Sequence, residues 1–371
     1  MTNDRIGLAV IGCGSIGRVR ALLARETVAV EWLGLCDMDE ALVQRVGAET
    51  AADLVTTDFR ELLARPEVTA VIVATPERAH VEPVLIAVDR GLSLLIEKPL
   101  AIDLAESARV LKAIEDNEVD AVIGYTQRFR RRFQTVKQRL RDGQVGDVTS
   151  VVTRTFMNRM VPMATLARTD VRKNMTPMVL SGTHSLDICL WLMEGKTPVE
   201  VYARSIDKTF KDLDAVDGTF GLFTMDDGAL WSMNINWALP VAWPGAVYGI
   251  EIGIVGTRGV IDIEDTHRDV ILATEISQPI PPAARGFDST AGRHVDFLGS
   301  YPPGDISDGL LWGPMREETM TWFSRLTRGL PTPHATAQEG HRNLMLTMAM
   351  DLSARTGEPV RLPVGVEAFR T

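Results

Sequence analysis

The chain has 371 residues, more than one hydrophobic core normally organises, which points to two domains. With 45% hydrophobic and 24% charged residues it is neither a disordered nor a fibrous chain. A net charge of −10 and an isoelectric point near 5.2 argue against a nucleic-acid partner, which would call for a basic surface.

Asp4 and Arg5 lead directly into an apolar strand, with no basic leader ahead of a cleavage site. No stretch reaches the roughly 18 consecutive apolar residues of a membrane span, so no membrane partner is expected. Cys13, Cys36 and Cys189 show no paired spacing and sit inside apolar runs. They read as buried reduced thiols rather than metal ligands, which suits a cytoplasmic protein with no metal site.

Through about residue 125, short apolar runs alternate with helix-period stretches. The runs are 6–12, 30–37, 69–76, 92–99 and 120–127. Their near-continuous hydrophobicity suits strands covered on both faces, hence a parallel sheet. Between them, Leu104, Ala108, Leu111 and Ile114 recur three or four apart and predict one apolar helix face. Alternating strands and helices imply a doubly wound α/β domain over 1–125.

Within it, Gly12-Cys13-Gly14-Ser15-Ile16-Gly17 follows a strand and opens a helix bearing Ile16, Val19, Leu22 and Leu23. In that setting Gly12 permits the turn, Gly14 lets backbone approach a pyrophosphate, and Gly17 allows close helix packing. The helix start then offers N–H groups and positive dipole to a dinucleotide. Asp37, at the end of the next strand, is placed to accept hydrogen bonds from ribose hydroxyls and to repel a 2′-phosphate, favouring NAD over NADP. Its alternative is to cap the next helix, near Asp39 and Glu40.

At the end of the fourth long strand come Glu97, Lys98 and Pro99, on the edge where open α/β sheets bind ligands. Lys98 is thereby aimed at a ligand, with Glu97 as a carboxylate to orient it and Pro99 to stiffen the loop; its alternative is a solvated charge. The basic cluster 128–133 reads as a solvated helix start.

From 126 to 371 the texture changes to strands in succession: 148–157, 199–206, 218–225, 228–237, 248–256 and 259–265. Asp226-Asp227-Gly228 and Thr257-Arg258-Gly259 mark hairpins. A mostly antiparallel sheet in an α+β domain is expected, interrupted by one helix from near Gly182. On that helix His184 precedes Asp187 by one turn, spacing that suits a general base whose tautomer an acid fixes. The alternative is a polar helix cap formed by Thr183, His184 and Ser185. Residues 275–313 read as a long loop, and two helices follow, each ended by a glycine, Gly329 and Gly357. These helices are expected to pack back on the first domain.

Taken together, the glycine loop, Asp37, 73–80 with Thr75, Pro76 and His80, 91–101 with Glu97 and Lys98, 124–129 with Gln127, 182–192 and 352–363 resemble, in order, the glucose-fructose oxidoreductase and inositol dehydrogenase family (Gfo/Idh/MocA). The resemblance spans nearly the whole chain. It implies an NAD-dependent oxidoreductase acting on the CH–OH group of a sugar, sugar derivative or cyclitol. It also implies that Ser15, Ile16, Thr75, Pro76, His80, Glu97, Lys98 and Gln127 join the glycines and Asp37 around the cofactor. Lys98 then contacts the reacting hydroxyl, His184 exchanges its proton, and the open sheet face builds homodimers or homotetramers. Many family members carry an aspartate four residues before the histidine; here that position is Leu180. Asp187 or a residue of 168–177 is the candidate replacement. Arg128, Arg154, Arg159, Arg168 and Arg172 suggest an acidic or derivatised sugar. Two alternatives are an NAD-dependent glycosidase working by transient oxidation and elimination, and a non-catalytic NAD-binding sensor.

Overall fold

A computed structural model describes residues 5–159, 162–163, 175–240, 249–264, 270–278, 293–298 and 304–369. The chain divides into two compact units, 1–129 with 306–344, and 130–305 with 345–371. Residues 306–344 thus belong to the first unit itself, whereas the sequence places all of 126–371 in the second.

The first unit opens as β1 (Ile6–Ile11), α1 (Ser15–Arg25), β2 (Val30–Cys36), α2 (Glu40–Thr50), β3 (Leu54–Thr56), α3 (Phe59–Ala64), β4 (Ala70–Val73), α4 (Val81–Asp89), β5 (Ser93–Glu97), α5 (Leu104–Asp116) and β6 (Ala121–Gly124). The second unit contributes α6 (Arg131–Arg141), β7 (Val148–Asn158), α7 (Thr183–Leu192), β8 (Pro198–Ile206), β9 (Gly218–Met225), β10 (Leu230–Leu239), β11 (Gly249–Gly256), β12 (Gly259–Ile263), β13 (Val270–Gln278) and β14 (Arg293–Leu298). The chain then runs through β15 (Asp305–Ser307), β16 (Leu310–Trp312), α8 (Pro314–Arg328), β17 (Ala335–Thr336), α9 (Ala337–Thr356) and β18 (Val360–Arg361).

In the first unit the strand order is β17-β6-β5-β4-β1-β2-β3, parallel except for the antiparallel edge strand β17. Successive side chains of a strand point to opposite faces, so a sheet clad on both sides needs apolar residues at every position. Ala9, Ile11, Val71, Val73, Leu94 and Ile96 enter one core with α3, α4 and α5. Their neighbours Leu8, Val10, Leu33, Leu35, Ile72 and Leu95 enter the other with α1, α2 and Trp322 and Phe323 of α8. On α5 the buried stripe is Leu104, Ser107, Val110 and Ile114, a slight rotation from the predicted face. The three-residue β3 is too short to signal itself in sequence.

In the second unit the order is β12-β11-β7-β10-β9-β8-β18, antiparallel apart from the β7–β10 pair. Here the alternation is one-sided. Val151, Trp231, Met233, Phe223, Ile252 and Ile254 are buried, while Val152, Tyr202, Phe220, Leu222, Val255 and Val260 are exposed. Both predicted hairpins form, with Gly228 at φ +87° and Gly256 paired to Gly259. The predicted loop over 275–313 is corrected in its described part. β13 pairs with β14 and β15 with β16 in two small ribbons, whose stability comes from local pairing that hydropathy does not reveal.

Candidate active site

Five neighbouring parallel strands, β6-β5-β4-β1-β2, carry at their carboxyl ends Gln127, Lys98, Thr75, the glycine loop and Asp37 in that order. The chain reverses its direction of winding between β1 and β4. Ligands of open α/β sheets bind outside the strand ends at such a switch point.

At the glycine loop, sterics dictate the residue type. Gly12 has φ +93°, and a Cβ there would lie 2.5 Å from the Ala74 carbonyl oxygen. A Cβ on Gly17 would fall 1.7 Å from the Gly12 oxygen, whereas one on Gly14 would meet nothing within 4 Å. Gly14 therefore presents the start of α1 to open space, while Ile16 packs against the cluster of Leu23, Leu311 and Met315. The Asp37 carboxylate accepts from the Cys13 N–H at 2.7 Å and the Asp39 N–H at 3.0 Å. Capping of α2 falls to Asp39, which accepts from the Leu42 N–H, so the capping alternative for Asp37 drops out.

Thr75 and the exposed Pro76 follow β4. His80 is buried, its ring nitrogens each 2.9 Å from a backbone carbonyl, of Thr75 and of Pro99. Burial lowers its pKa and favours the neutral ring, in which one nitrogen donates. What His80 contributes is a brace between the loops after β4 and β5, because its one N–H is directed at a backbone carbonyl whichever tautomer is present. The Lys98–Pro99 peptide is cis. Burial pushes the Lys98 ammonium down in pKa, against the opposing fields of Glu77 and Glu97.

Glu97 is held by a residue that sequence reasoning misses. Arg20, fully buried on α1, donates to Glu97 Oε1 from Nε (3.0 Å) and Nη2 (2.6 Å). It also donates to Glu318 Oε2 (2.7 Å) and Thr319 Oγ1 (2.7 Å) of α8. Thr126 donates to the same Glu318 oxygen at 2.8 Å. The available signal is a pair of opposite charges, each on the apolar stripe of its helix: Arg20 beside Gly17 and Leu23, Glu318 between Met315 and Trp322.

In the second unit a π-helical turn, Met178–Gly182, leads into α7 and contains the buried Leu180. π-turns recur at functional sites. His184 is half-buried and Asp187 fully buried. Ser185 shares a 2.5 Å hydrogen bond with Thr155, and Cys189 a 3.2 Å contact with Thr153, which also accepts from Trp231 Nε1. These bonds seat α7 on the sheet. Thr176 donates to Asp351 of α9 at 2.5 Å and accepts from the Val179 N–H. Burial pushes the Asp351 carboxyl up to about 7. Asp351 is a second carboxyl at this turn, invisible in sequence because it comes from 171 residues beyond Leu180.

Residues 6–125 match the oxidoreductase family with an NAD-binding Rossmann fold, and residues 133–262 match the GFO/IDH/MocA C-terminal domain. The chain belongs to the Gfo/Idh/MocA oxidoreductase family. Its similar proteins include inositol 2-dehydrogenase of Rubrobacter xylanophilus, 24% identical over 97% of this chain and 94% of the relative. Among solved structures, GenD2 from gentamicin A biosynthesis in complex with NAD has a TM-score of 0.78 at 20% identity, covering 98% of both chains. Scyllo-inositol dehydrogenase from Lactobacillus casei with bound NAD(H) and scyllo-inositol has a TM-score of 0.72 at 18% identity, covering 96% of this chain and 99% of that one.

As a Gfo/Idh/MocA member the chain is an NAD-dependent oxidoreductase. Its residues fit that dinucleotide. Thr75 Oγ1 and Gln127 Oε1 are buried without a hydrogen-bond partner on either side of Lys98, and the start of α1 opens on free space. Buried polar atoms in folded proteins are almost always satisfied, so unpartnered ones at a ligand edge are where a ligand's polar groups go. The arginines suggested for anion recognition are otherwise employed. Arg128 pairs with Glu339, Arg154 with Glu251, and Arg159 donates to the Leu239 and Ala238 carbonyls. Arg168, Arg172 and most of the 168–177 stretch lie outside the described residues.

Proposed function

We propose that this chain is a reversible dehydrogenase for a secondary hydroxyl of a cyclitol, sugar or sugar derivative, giving a ketone or lactone. The observation that carries the reading is the order of residues along the sheet edge. Asp37 stands on the adenosine side of the switch point, and Lys98 and Gln127 on the opposite side, where the nicotinamide end of a dinucleotide falls. NAD, when bound, supplies the hydride acceptor.

Lys98 stabilises the developing alkoxide through its positive charge, and its pKa lowered by burial also eases proton exchange. His184 takes the hydroxyl proton, with Asp187 on the same helix face fixing its tautomer. Cyclitols head the substrate classes because inositol 2-dehydrogenases recur among the relatives. The engaged arginines give no support to an acidic sugar.

The exposed apolar row Val260, Val255, Val152, Leu222 and Tyr202 crosses the bare sheet face of the second unit and supports a homodimer or homotetramer. A Leu222→Arg variant is expected to run as a smaller species in analytical ultracentrifugation. Three buried free thiols agree with a cytoplasmic location.

Purified protein with NAD and a panel of inositols, sugars, sugar acids and glycosides, followed by NADH absorbance and product chromatography, tests the reading. NADH formed with an inositol or sugar supports it. Cleaved glycoside without NADH would transfer the site to the eliminating glycosidase. NAD binding with no turnover on any compound would leave a sensor.

A further inference from the structure

We propose that Arg20 is a positioning residue for Lys98: it clamps the Glu97 carboxylate and so ties the helix that opens at the glycine loop to the strand end that carries the lysine. The inference rests on the catalytic reading of Lys98 given above, and deepens it.

Three observations carry it. The guanidinium is fully buried and reaches Glu97 by two nitrogens and Glu318 by one, with Nη2 shared at 2.6 and 2.7 Å. Glu97 is the residue before Lys98, so the clamp fixes the direction from which a carboxylate field reaches the ammonium. Room for the carboxylate is reserved by Gly124 at the end of β6, where a Cβ would sit 2.9 Å from Glu97 Oε2 and 3.4 Å from Arg20 Nη2.

Charge decides how the two carboxylates divide their roles. One guanidinium compensates one carboxylate, and ionising both leaves a net negative charge in a dry interior. Glu318 is fully buried and its Oε1 has no hydrogen-bond partner. Burial raises its pKa, and the neighbouring Glu97 raises it further. Burial therefore disfavours charge on Glu318, and Arg20 gives two of its nitrogens to Glu97 and one to Glu318. The remaining polar groups around the cluster are Thr126, Thr319 and the neutral His334, whose Nε2 lies 3.1 Å from the Glu318 carbonyl. Lys98 feels Glu77 in addition to Glu97. Freed from Arg20, Glu97 is drawn to the ammonium beside it.

The test is the pH-dependence of Lys98 acetylation by acetic anhydride in the full chain, quantified by mass spectrometry against the exposed Lys208, together with NAD affinity from tryptophan fluorescence. Glu97→Gln is expected to lower the Lys98 midpoint by at least about half a pH unit, Arg20→Lys to raise it by a similar amount, and Glu318→Gln to leave it unmoved. NAD affinity is expected to stay within about threefold in Glu318→Gln. If Arg20→Lys does not fold, the contrast between the two isosteric Glu→Gln variants decides. Equal midpoints in those two variants, or a shift in Glu318→Gln alone, overturn the proposal. Lys98→Ala turnover is measured separately: full turnover there would sink the catalytic reading while leaving the labelling result on the clamp intact.

Discussion

The two seven-stranded sheets solve the problem of interior polarity in opposite ways. The first is clad on both faces and draws ionisable groups inside: Arg20, Glu97 and Glu318 meet at the end of its central strands. Among the described residues the second exposes a row of apolar side chains on one face, and where α7 seats on its other face the partners are hydroxyls and an indole, with Thr155 bonded to Ser185 and Thr153 to Trp231. Buried charges lose several kcal/mol of hydration and must be matched by charge, while a hydroxyl needs one partner. The difference tracks the task. On the proposed reading one unit sets the field around the Lys98 ammonium, and the other seats a helix.

This contrast can be broken by deletion, and the largest effect belongs to the charged interior. Arg20→Met removes the one guanidinium that Glu97 and Glu318 share and is expected to cost about 3–5 kcal/mol in urea unfolding. Smaller losses there would mean that the cluster is solvated. Next comes Lys98→Ala, expected to lower turnover about 10²–10³-fold, the range for removing one group that stabilises developing charge. NAD affinity should change little, because the glycine loop and Asp37 remain. Unchanged turnover would remove Lys98 from the chemistry.

In the neutral interior the effects shrink. Thr155→Val keeps the shape and strands the Ser185 hydroxyl, for about 1–2 kcal/mol by chemical denaturation. A loss as large as that of Arg20→Met would erase the distinction drawn between the two sheets. The smallest effect is a slope. Asp351 has a folded-state pKa of about 7, above its ordinary 3.8. A raised pKa contributes stability that is full below about pH 4 and is lost as pH rises through 7. Wild-type melting temperature should therefore fall between pH 5 and 8 by a few degrees more than that of Asp351→Asn. Parallel melting curves would mean that Asp351 is ionised throughout.

Much of the site is legible in sequence because its parts are local. Gly12 is dictated by its φ of +93°, Gly17 by the Gly12 oxygen 1.7 Å from where its Cβ would sit, and Asp37 and Lys98 by their place at strand ends. Both helix-ending glycines are legible too: Gly329 and Gly357 have φ +64° and +80° and return N–H bonds to Arg325 and Ser353. By contrast, Glu97 reads as a partner for Lys98 until Arg20 is seen on it, 77 residues away. His80 reads as a cofactor contact until its ring is found between two carbonyls. The arginines suggest an anion until Glu251 and Glu339 are seen to hold two of them. The ribbons over 270–312 go unread because two short strands carry little periodicity.

By itself, the sequence determines the class of the protein: a dinucleotide loop, an aspartate at the end of the next strand, a lysine after a parallel strand and a second, one-sided sheet. Each of these follows from backbone sterics or from period-two and period-3.6 burial, which act over a few residues. Only the tertiary structure decides the charge state and aim of the groups so placed. Arg20 meets Glu97 and Glu318 across 77 and 298 positions and Thr176 meets Asp351 across 175, brought together by burial, and burial is what makes their interactions strong.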